Sequence, residues 1–167
     1  SSDRRPRGEI KIGFLDKPWM AVGASPTDPS KDIIYVVYTN FIETASVLWM
    51  DELPFIASSK LETVIERVSS RDGGVTWTTP IEVSPRAMFN ILFNPIDTSQ
   101  PDSINAPPAQ AEAGQVTSNR QIVQGPDVDV APDGTVYVSW VDSTNDDSFE
   151  GLGEIYVARS DNAGRSF

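Results

Sequence analysis

Two octamers constrain this chain more than anything else in it. Ser70-Arg71-Asp72-Gly73-Gly74-Val75-Thr76-Trp77 reads S-x-D-x-G-x-T-W, and Ser160-Asp161-Asn162-Ala163-Gly164-Arg165-Ser166-Phe167 is a conservative copy. Each follows a segment that reads as a strand, Glu62–Val68 and Glu154–Arg159. Asp72-Gly73-Gly74 is a turn signal. Asp72 can accept backbone N–H bonds a few residues on, and Gly74 can take positive φ without steric cost. Thr76 and Trp77 restart extended chain, and Thr78–Val83 reads as the next strand. Trp77 offers a large apolar anchor whose indole N–H needs a partner if buried. In the copy, Asn162 keeps a carbonyl acceptor but loses the charge, Ser166 replaces Thr, and Phe167 keeps most of the apolar area. What survives between Ser70, Asp72, Gly74, Thr76, Trp77 and Ser160, Asn162, Gly164, Ser166, Phe167 is geometry. That favours a turn-closing role for Asp72 over a catalytic one.

The repetition extends upstream of the octamers. Met20-Ala21-Val22 matches Gly125–Val130 as a first strand, Ile33–Thr39 matches Thr135–Val141 as a second, and the third runs into each octamer. The run Ile33–Tyr38 is apolar on both faces, which suits a strand covered on both sides. Glu9–Phe14, with Ile10, Ile12 and Phe14 alternating, is a further strand candidate. Phe41–Leu61 reads as a long connection, rich in apolar residues such as Trp49 and Phe55. Ser84–Arg120 carries five prolines and is longer than an ordinary loop; Met88, Phe89, Ile91, Leu92 and Phe93 suggest that its first half docks on the fold. The expected division is a flexible tail at 1–9, a first unit at 10–85, a Pro-rich insertion at 86–120, and a second unit at 121–167 that ends on its octamer.

The octamer resembles the Asp-box, or BNR repeat, of sialidase-like β-propellers. The first copy matches all the defining positions and the second is a variant. The resemblance implies an all-β chain of four-stranded antiparallel blades, with the box joining third to fourth strands on the face away from the active site. About two blades would be present, as a fragment of a six-bladed propeller; unrelated sandwich hairpins are the alternative. The long connections would then share the opposite, ligand-bearing face. The resemblance further implies a secreted or envelope-exposed protein that hydrolyses or binds glycans, or a non-catalytic propeller that binds a protein or glycan partner.

Composition narrows the chemistry. The chain has no histidine and no cysteine. That removes His-dependent triads, His-ligated zinc, disulfides and thiolate nucleophiles. Its formal net charge is -11 over 167 residues, with no basic cluster beyond Arg4-Arg5-Pro6-Arg7. Nucleic acid and anionic membrane are poor partners for such a surface. No apolar run approaches the roughly 20 residues of a membrane helix, and a start at Ser1 is expected to be processed or cropped.

Sialidase chemistry, as the resemblance implies it, needs an arginine grip on the substrate carboxylate, a Tyr nucleophile with a Glu beside it, and an Asp acid. The family's Arg-Ile-Pro type motif is absent; Asp16-Lys17-Pro18-Trp19 takes a similar place. Tyr35, Tyr38, Tyr137 and Tyr156 all fall mid-strand, where core packing is expected. No catalytic residue is therefore assigned. Candidates for ligand contact are Asp16, Lys17 and Trp19, with Asp127 of Gly125-Pro126-Asp127, and Arg86 and Arg120 at the ends of the insertion. The competing reading of Trp19 packs it between blades. No cofactor is expected, although Asp142, Asn145, Asp146, Asp147 and Glu150 offer the oxygen ligands that Ca²⁺ requires; a solvated acidic loop is the competing reading.

Overall fold

The computed structural model describes residues 8–50, 53–92, 122–144 and 153–167, all in antiparallel sheets and their turns, with no helix among them. In the first sheet β1 (Gly8–Ser25), β2 (Asp28–Met50), β3 (Leu53–Ser70) and β4 (Ile81–Glu82) pair in chain order, and β5 (Ala87–Leu92) adds to β3. In the second, β6 (Val123–Val130), β7 (Val136–Asp142) and β8 (Glu154–Ser160) also pair in chain order. The central segments are rich in Val, Ile, Thr and Tyr, which suit a pleated, half-buried surface. Tight turns join β1 to β2 and β6 to β7. Pro26-Thr27 closes the first hairpin. In the β6–β7 turn the Gly134 N–H donates to the Ala131 carbonyl at 2.9 Å, and the Thr135 N–H to Asp133 Oδ1 at 2.9 Å.

Several expectations change. Phe41–Leu61 is not a connection, because β2 runs on to Met50 and β3 begins at Leu53. Phe41, Ala45 and Val47 sit at strand spacing on one face and are buried, and no Gly or Pro interrupts Phe41–Met50. The result is a ribbon that extends β1, β2 and β3 beyond the core, with Phe14 stacked on Phe41 at 4.8 Å. Gly8 and Glu9 belong to β1 rather than to a tail, and Glu9–Phe14 and Met20–Val22 are parts of that one strand. Thr78–Val83 is strand only at Ile81–Glu82. The start of the Pro-rich insertion does dock: Ala87–Leu92 pairs with Ser58–Thr63 of β3. Tyr35 and Tyr38 are buried as expected, but Tyr137 and Tyr156 are 40% and 43% exposed.

The core lies between the sheets. Ile33, Tyr35, Val37 and Ile65 of the first meet Val123, Val128, Val136, Val138 and Trp140 of the second. The first strands of the two sheets are neighbours: a Cβ at Gly23 would lie 2.3 Å from Val130 Cγ1, so only glycine fits there. Hydroxyls of the first sheet meet the edge of β6. Thr63 Oγ1 accepts the Val123 N–H at 2.9 Å, and Thr39 Oγ1 accepts the Gly125 N–H at 3.3 Å. Arg67 crosses the same interface and is only 1% exposed. Its guanidinium donates to Ser69 Oγ at 2.6 Å and to the Gly164 carbonyl, and lies 6.0 Å over the Tyr35 ring. Burial pulls its pKa below the usual arginine range.

Ser70 pairs with Ile34 and Ser160 with Val136, so both octamers leave the same end of their sheets. The ribbon and the first residues of β6 and β8 lie toward the opposite end.

Candidate ligand-binding site

The octamers close as turns. In the first, Asp72 Oδ1 accepts the Thr76 N–H at 2.9 Å and Oδ2 accepts the Thr76 hydroxyl at 2.5 Å. Ser70 Oγ accepts the Gly74 N–H at 2.8 Å and contacts Asp72 Oδ1 at 2.8 Å. The Thr76 hydroxyl and N–H, then Ser70, lower the Asp72 carboxyl to a pKa of about 2. In the second, Ser160 Oγ accepts the Gly164 N–H at 3.0 Å, and Asn162 Oδ1 accepts the N–H groups of Arg165 at 2.9 Å and Ser166 at 3.2 Å. Both turns place two consecutive residues at positive φ, Gly73-Gly74 and Ala163-Gly164. Both oxygens of Asp72 are thus engaged within the turn, as a turn-closing carboxylate requires. Trp77 is not a buried anchor. It is 46% exposed, and its indole N–H donates to the Gly74 carbonyl at 3.0 Å.

A second repeated device lies toward the opposite end of the sheets. The ladder of β1 slips between Asp16 and Trp19, and that of β6 slips between Gln124 and Asp127. In each gap a residue at positive φ precedes a proline: Lys17 (φ 50) before Pro18, and Gly125 (φ 65) before Pro126. The two sheets therefore carry the same bulge, and bulges re-aim side chains. Glycine takes that φ freely; Lys17 takes it at a cost of about 1–2 kcal/mol. Strain of this kind gathers at functional sites.

The two bulges face one cavity of about 440 Å³, lined by Lys17, Pro18, Trp19, Gly125, Pro126 and Asp127. Three sequence candidates, Lys17, Trp19 and Asp127, come together here from strands more than a hundred residues apart. Trp19 is 57% exposed, so it is not packed between the sheets and its indole is open to a ligand. Asp127 turns Oδ1 to the Val128 N–H at 2.8 Å. The set supplies a flat aromatic face, a cation and a carboxylate acceptor on two rigid proline corners. Asp16 pairs with Thr39 just before the bulge and does not line the cavity.

Arg86 lies elsewhere. Its Nε and Nη2 both reach Glu82 Oε1, at 3.0 and 2.5 Å, and this bond raises its pKa. It lines a second cavity of about 310 Å³ with Trp140, Asp142, Thr144 and Tyr156. The Trp140 and Tyr156 rings stack with centroids 6.1 Å apart. The Tyr156 hydroxyl meets Glu154 Oε2 at 3.1 Å, and that bond raises the phenol pKa above its usual value. Sequence reasoning missed this pair by taking Tyr156 for core. The available signal was registry: aligning β7 with β8 puts Trp140 opposite Tyr156 near the strand ends.

Of the acidic loop residues offered for Ca²⁺, only Asp142 lies among the described residues. Its Oδ1 accepts both the N–H and the hydroxyl of Thr144, and among the described residues no group of three acidic side chains gathers to hold a metal. Asn145, Asp146, Asp147, Glu150 and Arg120 lie outside the described residues. No helix among the described residues is long and apolar enough to cross a membrane. No family model, curated protein or solved structure matches the chain.

Proposed function

We propose that this chain is part of a sialidase-like Asp-box β-propeller that binds a glycan at the end of its sheets remote from the boxes, through the cavity between the two proline bulges. The observation that carries this reading is the convergence of Lys17, Trp19 and Asp127 on one cavity of about 440 Å³ by a bulge that occurs twice. Two further features support it: box turns with matching hydrogen bonds, and two sheets whose strands follow one another in the same order. An exposed indole stacks on the apolar face of a sugar ring, Lys17 can meet an acidic sugar's carboxylate, and Asp127 can accept its hydroxyls.

Binding is favoured over hydrolysis by what the cavity contains. Its described lining has a single carboxylate and no phenol. The two-carboxylate scheme requires a pair roughly 5–9.5 Å apart, and the sialidase scheme requires an activated Tyr. Tyr156 does meet a glutamate, but it lines the other cavity and not the one between the bulges.

The test pairs glycan-array binding with hydrolysis of a fluorogenic sialoside, using the intact protein and its Trp19→Ala variant. Saturable glycan binding that weakens about tenfold in the variant, the loss of one stacking contact and its packing, is the expected result, with no turnover. Turnover of the sialoside would replace binding by catalysis. A folded protein that retains no glycan would overturn the proposal.

A further inference from the structure

Ser70 and Ile34 pair in the first sheet as Ser160 and Val136 pair in the second, and this registry matches the two sheets residue by residue. One joint between them is filled. Tyr35 and Ile65 of the first sheet are buried against Val128, Val136 and Val138 of the second. The same positions on the opposite sheets are open. Tyr137, Ile155 and Val157 match Tyr35, Ile65 and Arg67, and they are 40%, 68% and 64% exposed. Met20 and Val22 match Val128 and Val130, and they are 61% and 53% exposed, in register with the half-buried Val36 and Ile34. Residues in register lie on one face of a sheet. The first sheet therefore bares an apolar face built like the one that docks in the filled joint, and the second bares a face built like the one that receives it. Asp129 and Arg159, in register on either side of Tyr137, give the receiving face a charged rim. Contiguous exposed apolar surface with such a rim marks an interaction site.

A second copy of this chain supplies the matching occupant for each face. In the filled joint the buried Arg67 guanidinium depends on the Gly164 carbonyl. In the open joint both halves of that contact change together. Val157 stands at the arginine's position, and Gly74, at the position of Gly164, already gives its carbonyl to Trp77. Bringing the two faces together therefore strands neither a buried guanidinium nor a Gly74 carbonyl. Val141 and Gly153 stand where Thr39 and Thr63 accept N–H groups of β6, so the open joint lacks two hydrogen bonds of the filled one and is the weaker. We infer that copies of this chain assemble head to tail, the Met20–Val22 face of one on the Tyr137–Val157 face of the next. Such a joint is heterologous, so it closes into a ring or runs on as a filament. With two sheets in each copy and roughly 4–8 in a closed propeller, a ring takes about two to four copies. That count alone rests on the propeller reading; the joint itself needs no ligand in either cavity.

The experiment is sedimentation velocity on the intact protein over a wide concentration range. The mass should rise reversibly with concentration to a small, discrete oligomer. Val22→Glu and Val157→Glu each put a charge on one of the two faces, at a position exposed enough to spare the fold. Each should leave a monomer at every concentration. Mixed together, the two variants still offer one intact face each, and they should form a dimer that grows no further, as only a head-to-tail joint allows. Neither residue lines the cavity between the bulges, so glycan binding is read separately on the same variants. Three results would each overturn the inference: an intact protein that stays monomeric, assembly unchanged in either variant, or a mixture of the two variants that forms no dimer.

Discussion

At Gly74 the carbonyl of the first box is taken by the indole of its own Trp77, whereas at Gly164 the matching carbonyl is taken by Arg67 of the other sheet. The rest of the two turns is nearly superimposable in its hydrogen bonds. The difference follows from one residue. Phe167 stands where Trp77 stands, and phenylalanine has no N–H to offer. The vacated carbonyl becomes an anchor for a buried arginine. Burial diverges accordingly: Gly73 has nothing within 4 Å of a Cβ, whereas Ala163 belongs to the core. One turn geometry thus serves as a self-contained cap in the first sheet and as a tie between sheets in the second.

The strongest way to break this comparison is Arg67→Ala. It empties buried volume and leaves the Gly164 carbonyl unpaired, and should cost about 3 kcal/mol. Urea denaturation measures it, and a loss below about 1 kcal/mol would mean that Arg67 ties nothing together. The paired substitutions Gly164→Ala and Gly74→Ala sharpen it. Both positions have positive φ, so each carries the backbone penalty of about 1 kcal/mol. A Cβ at 164 would also lie 3.1 Å from Arg67 Nε, whereas at 74 the nearest atom is Trp77 Cζ2 at 3.7 Å. We expect about 2 kcal/mol at Gly164 and about 1 kcal/mol at Gly74; equal losses would place no tie at the second turn.

The gentlest probe is pH. Asp72 has a folded pKa of about 2, below the ordinary 3.8. Its ionised form is favoured by the turn, so its contribution is complete above about pH 4 and is lost as pH falls through 2. Asn162 does not titrate. The Thr76 amide resonance should shift with a midpoint near pH 2 while that of Ser166 stays flat. A Thr76 midpoint near pH 4 would show that the carboxylate is not held.

The turns and the core strands were readable because their signals are local. Asp72-Gly73-Gly74 demands a turn, and Ile33–Tyr38 demands cover on both faces. Aligning Val22 with Val130 also aligns Pro18 with Pro126, so the twin bulges were implicit in the repeat, as was the meeting of Lys17, Trp19 and Asp127. The ribbon was hidden because apolar residues in Phe41–Leu61 suit a docked connection as well as a strand, although Phe41, Ala45 and Val47 keep strand period. Arg67 was illegible for another reason. A single arginine in a strand usually points to solvent, and here Ser69, the Tyr35 ring and the Gly164 carbonyl of the other sheet together make burial tolerable. Tyr156 was misjudged because mid-strand position does not say which face is covered.

The hydroxyls of Thr39 and Thr63 have a consequence for assembly. By occupying the N–H groups of Val123 and Gly125 they blunt the outer edge of β6, leaving no run of free donors there for an incoming strand. On the other flank β8 has no second neighbour among the described residues. The second sheet is therefore blunted where it meets the first, and an incoming strand finds the donors at the start of β6 already occupied.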